Sequence, residues 1–411
     1  MNSTATRYDV AIVGGGMVGA SLALALQDTQ LKVLSIEAHA PDDAQQPSFD
    51  DRTTALGNGA RRILDTLGAW PAIAAEAGAI RSIHVSDAGR CGFARLQASE
   101  HALEAFGYTV SNRHIGAVLW RLLRARAHVE LACPARVRAL QLGDDAVRLR
   151  VADAAGVERA VDAALVVAAD GAHSVVRQAA GIAESSSDYG QVAVVANIRT
   201  DRASAGIAYE RFAQAGPMAL LPLPSGRFTV VWALEPARAA ELQGCDAAEF
   251  CEQLQRAFGW RVGRILEVGR RAGYRLELLR ALEQSAPRVA LIGNAAQALH
   301  PVAAQGFNLG LRDAAVLAEL IATAADPGAP EVLSLFAARR AADRRGMIAF
   351  TDNLVRLFGD SRPTRVALRN LGLLLFDVSA PAKRALAQLS FGFGGALPRL
   401  SRGLRLTARP P

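Results

Sequence analysis

Three glycines, Gly14, Gly16 and Gly19, stand in G-x-G-x-x-G spacing within the run IVGGGMVG. A short apolar run, Val10 to Val13, precedes them; an Ala- and Leu-rich stretch follows, and the next apolar run ends on an acid, Glu37. Strand, tight turn, helix, strand and acid occur here in the order a dinucleotide site requires. Gly14 permits the turn, Gly16 lets the backbone approach a pyrophosphate, and Gly19 lets the helix pack on the sheet. The helix start offers unpaired N–H groups and a positive dipole end to phosphates. Glu37 is placed to accept hydrogen bonds from an adenosine ribose. The uncharged run Val10 to Leu26 also invites a reading as signal peptide or membrane span. Its glycines, its length, the preceding Asp9 and the lack of a nearby basic segment argue against both.

Two further strand ends carry similar punctuation. In ALVVAADGAHSVVRQAAG, a predicted buried strand, Leu165 to Ala168, runs into Asp170–Gly171. Open α/β sheets bind ligands at the carboxyl ends of their strands, although an isolated Asp-Gly reads equally as an ordinary turn. In RVALIGNAAQALHPVAAQGFNLGLRDAAVLAELI, a buried strand meets Gly293–Asn294. A loop with His300–Pro301 and Gln305–Gly306 follows, then a helix starting near Asn308 and continuing past Asp313. Gly306 and Gly310 let the backbone lie against a planar ligand, and the helix start supports negative charge on it. His300 reads either as an acid–base residue or, preferably, as a packing element beside Pro301. Arg52 either reaches the phosphate or flavin end of a cofactor or pairs at the surface with Asp50 or Asp51.

The elements that must hold these residues follow from periodicity. After a polar loop, His39 to Asp51, the stretch DRTTALGNGARRILDTLGAW predicts a helix capped by Thr53 or Thr54. Alternation from Ile80 to about Phe106 predicts two strands outside the nucleotide domain. From Asn112, Ile115, Leu119, Leu122 and Leu123 share one face of an amphipathic helix. Val129 to Ala160 reads as a β-meander. Val192 to Leu234 predicts a mostly antiparallel sheet, followed by a helix over Asp246 to Phe258 and a strand near Gly273 to Leu278. Ala337 to Phe358 is helical and basic. The tail from Arg362 is too interrupted to span a bilayer; it reads as an amphipathic helix pair on a membrane surface or as a helical cap on the core.

The chain has 411 residues, just over half hydrophobic, enough for two domains. Its net charge of +7 is almost all arginine and scattered, without the basic stripe and interleaved aromatics that would point to nucleic acid. The excess reads as composition, with a bias towards an anionic membrane surface. Cys91, Cys133, Cys245 and Cys251 show neither zinc-ligand nor disulfide spacing. No metal is expected. Without an export signal a reducing cytoplasm is the default, with peripheral contact at the inner face of the cytoplasmic membrane.

Together, GGGMVG, AADGAHSVVR and IGNAAQALHPVAAQGFNLGLRD resemble the class A flavoprotein monooxygenases, the group similar to p-hydroxybenzoate hydroxylase. DRTTALGNGAR, GYTVSNRHIGAVLW and AYERFAQAGPMALLPLPSGR extend the resemblance to the ubiquinone-biosynthesis ring hydroxylases, most like their 2-polyprenyl-6-methoxyphenol hydroxylase branch. The resemblance implies an α/β fold. A Rossmann-like FAD-binding domain is expected over residues 1–80, 105–185 and 285–350. A mostly antiparallel substrate-binding sheet is expected over 81–104 and 186–284, and a helical region over 351–411.

By resemblance, Gly14, Gly16 and Gly19 hold the FAD pyrophosphate and Glu37 the adenosine ribose. Arg52 and Arg113 line the pyrophosphate and ribityl region. Asp170 serves FAD and NAD(P)H, and Asn294 takes the place of an aspartate on the ribitol. Pro301 sits beside the reactive ring, while Gly306, Phe307 and Asn308 contact the flavin edge. Two departures, Asn294 for the usual Asp and Ala304 for the usual Gly before Gln305, bear on FAD retention without removing a group the reaction needs.

The implied reaction uses NAD(P)H and O₂ to hydroxylate the ring of a polyprenylated methoxyphenol through a flavin C4a-hydroperoxide. No acid–base pair stands out. Tyr209 and Arg211, on a predicted substrate-sheet strand, are candidates for facing the ring, with cross-strand packing as the alternative. Hydroxylation of another ring position, a flavin-binding scaffold subunit among other ubiquinone-biosynthesis proteins, and a polyprenyl reductase are the rival readings. A flavin halogenase is disfavoured, because none of the four tryptophans forms W-x-W-x-I-P.

Overall fold

The computed structural model describes residues 6–41, 43, 46, 52–213, 215–300, 304–359, 362–379, 381–384 and 397–407. An eight-stranded mixed sheet forms its first unit. The strands Val289–Leu291, Glu158–Ala168, Thr6–Val13, Val33–Ile36 and Val129–Ala132 lie side by side and parallel. The strand Val147–Asp153 pairs antiparallel with Glu158–Ala168, and Ala135–Gln141 pairs antiparallel with Val147–Asp153 in turn. Thus only the start of the expected meander, Val129–Ala132, joins the parallel core.

Both faces of this sheet are covered, so its central strands are apolar on both sides. On one side lie the helices Met17–Ala25, Asn58–Thr66, Asn112–Arg124 and Gly306–Ile321, packed around Val10, Ile12, Leu24, Leu165, Val167 and Leu311. Met17–Ala25 is buried all round from Gly19 to Ala25, as a short, wholly apolar helix must be. The other side packs around Tyr8, Ala11, Leu34 and Val166, with Leu149 contributed by the hairpin.

The second unit is a nine-stranded sheet. Its path runs Gln297–Ala298, Ala272–Ala281, Glu184–Thr200, Arg227–Leu234, Gly216–Pro222, Ile207–Ala213, Ser82–Asp87, Phe93–Gln97, with Ile265–Val268 also paired to Glu184–Thr200. Every pairing is antiparallel except Ile207–Ala213 with Ser82–Asp87. The outer face packs on the helices Pro236–Gly244 and Ala247–Phe258, through Met218, Leu220, Phe228, Trp232, Phe250 and Phe258. The inner face presents Ala193, Val195, Ala233 and Leu276, and, further along, Ala208 and Leu221.

A three-stranded sheet joins the units: Thr53–Gly57, Gly107–Ser111 and Gly78–Ile80. It corrects the helix expected to open at Thr53 or Thr54. Those threonines pair with Ser111 and Val110 across the small sheet, and the helix begins only at Asn58. β-branched residues favour that pleated setting over a helix start once a partner strand is present.

The helix Pro330–Gly359 crosses the first unit, and Pro363–Val378 lies along the edge strand Phe93–Gln97. The second member of the expected tail helix pair falls largely outside the described residues. No helix among the described residues is long and apolar enough to cross a membrane.

Candidate functional site

Strand register brings the three punctuated stretches to one edge. Val13 is level with Ala168 and Ile36, Ala168 with Leu291, and Ile36 with Ala132. The next residues along these strands are Gly14, Ala169–Asp170, Ile292–Gly293 and Glu37. They therefore emerge together at the carboxyl edge, where open parallel sheets hold ligands.

The glycines are required by contact. Gly14 has φ +102°, and a Cβ there would lie 2.4 Å from the Ala169 carbonyl oxygen. A Cβ on Gly19 would stand 1.9 Å from the Gly14 oxygen. Gly16 is the N-cap of Met17–Ala25, and no side chain among the described residues caps that helix. Its first N–H groups are thus left for another acceptor.

Gly15, which sequence reasoning passed over, is equally constrained. A Cβ there would meet Trp120 at 2.8 Å and Glu37 at 2.9 Å. Trp120 Nε1 donates to the Gly15 carbonyl at 2.8 Å, and the Gly15 N–H donates to Glu37 at 2.5 Å. The His39 N–H donates to the other Glu37 oxygen at 2.9 Å. Glu37 therefore closes the loop as well as standing where a ribose would lie. Nothing in the sequence ties Trp120 to Gly15 across 105 residues.

At the second strand end, Asp170 Oδ2 accepts from the Val176 N–H at 3.2 Å. Its Oδ1 is buried and has no hydrogen-bond partner among the described residues. Burial pushes the carboxyl above its ordinary value, against the pull of its Ser174 and backbone hydrogen bonds. Gly171 has φ +90° and open space where a Cβ would be. An orphaned acceptor beside an open turn is suited to a ligand hydroxyl or amide donor.

Arg177, also missed, ties this turn to the third. It is 1% exposed and donates to the Ala172 oxygen at 2.8 Å and the Ala295 oxygen at 2.9 Å, and it pairs with Glu184. It lies inside the AADGAHSVVR stretch, but its partner Ala295 is not locally readable.

The third strand end turns through Gly293–Ala295, with Asn294 exposed. A Cβ on Gly310 would come within 2.9 Å of Gly293 Cα and of Val18, so the helix Gly306–Ile321 crosses directly beneath the first helix. Gly306 and Phe307 form its first turn, half-buried, and a Cβ on Gly306 would meet nothing within 4 Å among the described residues. Asn308 is buried and fully engaged: Oδ1 accepts from the Gly57 N–H at 2.9 Å, and Nδ2 donates to the Ala55 and Ala304 oxygens at 2.8 and 2.9 Å. Its side chain fixes the helix start to the small sheet, which leaves backbone N–H groups to face a ligand. Ala304 turns at φ +50°, the left-handed region in which a glycine would be unstrained.

Arg52 and Arg113 come close through the backbone, since the Arg52 oxygen accepts from the Asn112 N–H at 2.8 Å. The Arg52 guanidinium lies 4.4 Å over the Tyr274 ring, on the inner face of the second sheet. Arg113 is exposed in the first turn of Asn112–Arg124. Asp50, Asp51 and Pro301 lie outside the described residues. His300 is buried, packed edge-on against Tyr189 at 5.0 Å, and burial pushes its pKa down to about 4, so the ring is neutral near pH 7.

Tyr209 and Arg211 are not brought to this edge. Tyr209 packs against Phe258 at 5.5 Å and Phe228 at 6.4 Å on the outer face, and Arg211 donates to the Ala257 oxygen at 3.3 Å. There Tyr209 lines a separate cavity of about 340 Å³ with His84, Arg95 and Arg261. Alternation along the strand turns the residue between them, Glu210, to the inner face.

The glycine cradle, the uncapped helix start, the Asp170 acceptor and the open space at Gly171 and Gly306 suit an extended dinucleotide such as FAD. A family model for the FAD binding domain matches residues 7–351. The chain is 39% identical over 406 residues to the ubiquinone hydroxylase UbiL of Rhodospirillum rubrum, covering 97% of this chain and 93% of that one. It is 31% identical to the 3-demethoxyubiquinol 3-hydroxylase of Escherichia coli, covering 93% and 98%. In fold it is similar to the p-nitrophenol 4-monooxygenase PnpA of Pseudomonas putida, with a TM-score of 0.78, 21% identity, and coverage of 93% and 97%. Three converging strand ends and relatives aligned along nearly the whole chain lead to one conclusion: the protein belongs to the FAD-dependent monooxygenase family that contains the ubiquinone-biosynthesis hydroxylases.

Proposed function

We propose that this enzyme hydroxylates the ring of a polyprenylated methoxyphenol in ubiquinone biosynthesis, with NAD(P)H as reductant. The observation that carries the site is the common level at which Val13, Ala168 and Leu291 end. Relatives named for ubiquinone hydroxylation support the substrate class. Bound FAD supplies the redox chemistry, delivering one oxygen atom of O₂ to the ring while the other leaves as water.

The chain's own residues bind and orient. The cradle at Gly14 to Gly19 and the uncapped helix start take the pyrophosphate, Glu37 the ribose, and the Asp170 turn the middle of the cofactor. The start of Gly306–Ile321, which no side chain caps among the described residues, supports negative charge at the ring end. The inner face of the second sheet, lined by Ala193, Val195, Ala233 and Leu276, gives an apolar wall that excludes water from the reacting ring.

A second reading, hydroxylation at another ring position of the same pathway, is favoured by the 3-demethoxyubiquinol 3-hydroxylase relative. Both are tested by incubating the holoenzyme with NAD(P)H, ¹⁸O₂ and each candidate phenol. Label in the ring of one of them identifies the position. Peroxide release without ring label, for every prenylphenol supplied, overturns both.

A lipid-tailed substrate also suggests how the protein meets its membrane. Pro363–Val378 turns Arg369 and Asn370 inward onto Asp87, at 2.7 and 3.0 Å. Its outer stripe, Leu368, Leu371, Leu375 and Val378, is 53–81% exposed. With the exposed Arg384 just beyond, this stripe suits shallow contact with an anionic bilayer.

A further inference from the structure

We propose that Glu210 receives the proton of the substrate's ring hydroxyl, an inference that rests on the phenol-hydroxylase reading above. Glu210 stands in the middle of Ile207–Ala213, between Tyr209 and Arg211, which both face outward. It therefore faces inward, level with Ala219 on one neighbouring strand and Val85 on the other. Both neighbours are apolar, and Ala219 is small enough to leave room above it.

The inner face at this point meets the cofactor unit. Ala208, two residues before Glu210 on the same face, belongs to a cluster that includes Ala55 and Leu221. The Ala55 carbonyl is the one that accepts from Asn308, in the first turn of the helix Gly306–Ile321. Glu210 is thus one strand position from the contact that joins the substrate sheet to the helix start.

Glu210 keeps part of its accessible surface, yet protein crowds its carboxyl so heavily that burial pushes it well above the ordinary carboxylate range. No hydrogen bond or ion pair reaches that carboxyl among the described residues. A second acid along this face, Asp87, level with Phe212, is held by Arg369 and Asn370. A crowded carboxyl without a partner is costly to keep, and such groups concentrate where chemistry needs them.

The step balances within the pair. The phenolic O–H bond breaks, an O–H bond forms on Glu210, and the electron pair stays on the phenolic oxygen. That oxygen then pushes electron density to the ring carbons ortho and para to it, where electrophilic oxygen is accepted. A base held above the usual carboxylate range is better matched to this transfer than a solvent-exposed carboxylate.

The test compares the FAD-loaded wild type with E210Q and E210D, using a soluble short-prenyl methoxyphenol without NAD(P)H or O₂. In the wild type, the ultraviolet difference spectrum should show the bound phenol ionised at a pH where the free phenol is not. E210Q should bind flavin and phenol but leave the phenol neutral; assayed separately with NAD(P)H and O₂, its turnover should be about 100-fold lower or worse. E210D, which keeps a carboxylate, should recover part of the ionised band. A wild type that binds the phenol neutral, or an E210Q protein that ionises it equally well, overturns the proposal. Ring labelling by ¹⁸O₂ is read separately. Equal labelling by wild type and E210Q rejects the role of Glu210 while the hydroxylase reading stands. Ionisation that depends on Glu210 without any labelling rejects that reading and leaves the proton transfer intact.

Discussion

The backbone N–H of Gly293 donates to Asp313 Oδ2 at 3.2 Å across 20 residues of chain. The same oxygen accepts from Gln297 at 2.8 Å, and Oδ1 accepts from Arg340 at 2.7 Å. A wholly buried carboxylate thereby holds the third cofactor turn against the body of the protein. Asp313→Ala leaves Arg340 buried with Asp343 as its remaining charged partner, 2.7 Å away. The expected cost is about 3 kcal/mol, the lower end for breaking a buried pair. Urea unfolding measures it, and flavin absorbance of the purified variant should fall with it. A change under about 1 kcal/mol contradicts this account.

Gly19→Ala should abolish FAD retention. The added Cβ would stand 1.9 Å from the Gly14 carbonyl, so either the helix or the phosphate loop must move. The protein should purify colourless and show no rise in melting temperature on adding FAD. A yellow Gly19→Ala protein would refute the cradle.

Ala304→Gly should stabilise the protein. Ala304 sits at φ +50°, a conformation that costs a side-chain-bearing residue about 1–2 kcal/mol. The greater freedom of glycine in the unfolded chain offsets part of that gain, leaving roughly 0.5–1 kcal/mol. Chemical denaturation reads the difference, and FAD affinity should rise or stay level. Destabilisation by this substitution would place the loop in another conformation.

His300 should make stability fall on acidification. Its pKa is about 4 in the folded protein against 6.5 for a free imidazole, so between those values the unfolded chain binds a proton that the folded one refuses. The contribution is complete above pH 6.5, is lost as pH falls towards 4, and amounts to about 3 kcal/mol. Replacing His300 by Gln should flatten the dependence of unfolding free energy on pH within that window. Parallel curves for variant and wild type would show that the ring titrates normally.

Leu371→Asp with Leu375→Asp should weaken sedimentation with anionic phospholipid vesicles at least tenfold and leave folding nearly unchanged, because both leucines are more than half exposed. Unchanged vesicle binding would remove this helix from the membrane contact.

Much of the cofactor side is legible because it is local: Gly14, Gly16, Gly19 and Glu37 lie within one strand–helix–strand unit. The second and third turns show themselves by short apolar runs ending in Asp170–Gly171 and Gly293. What holds the three together is not legible. Arg177 reaches Ala295 across 118 residues, and Trp120 reaches Gly15 across 105. Scattered arginines that look like mere composition include Arg177, Arg312, Arg340 and Arg369, all buried on partners that only folding supplies. Thr53 and Thr54 mislead because a strand so short depends on its partner, Gly107–Ser111. On the substrate side the strand is readable but its facing is not. Alternation is a two-way choice, and a shift of one residue exchanges Tyr209 and Arg211 for Glu210.

The clasp on Gly293 has a bearing on biogenesis. Since Arg340 lies 47 residues beyond that turn, a ribosome must deliver most of the polypeptide before the last wall of the cofactor berth can set. Flavin capture is therefore a late event in the life of the nascent chain, and fragments halted upstream of Arg340 should emerge without colour.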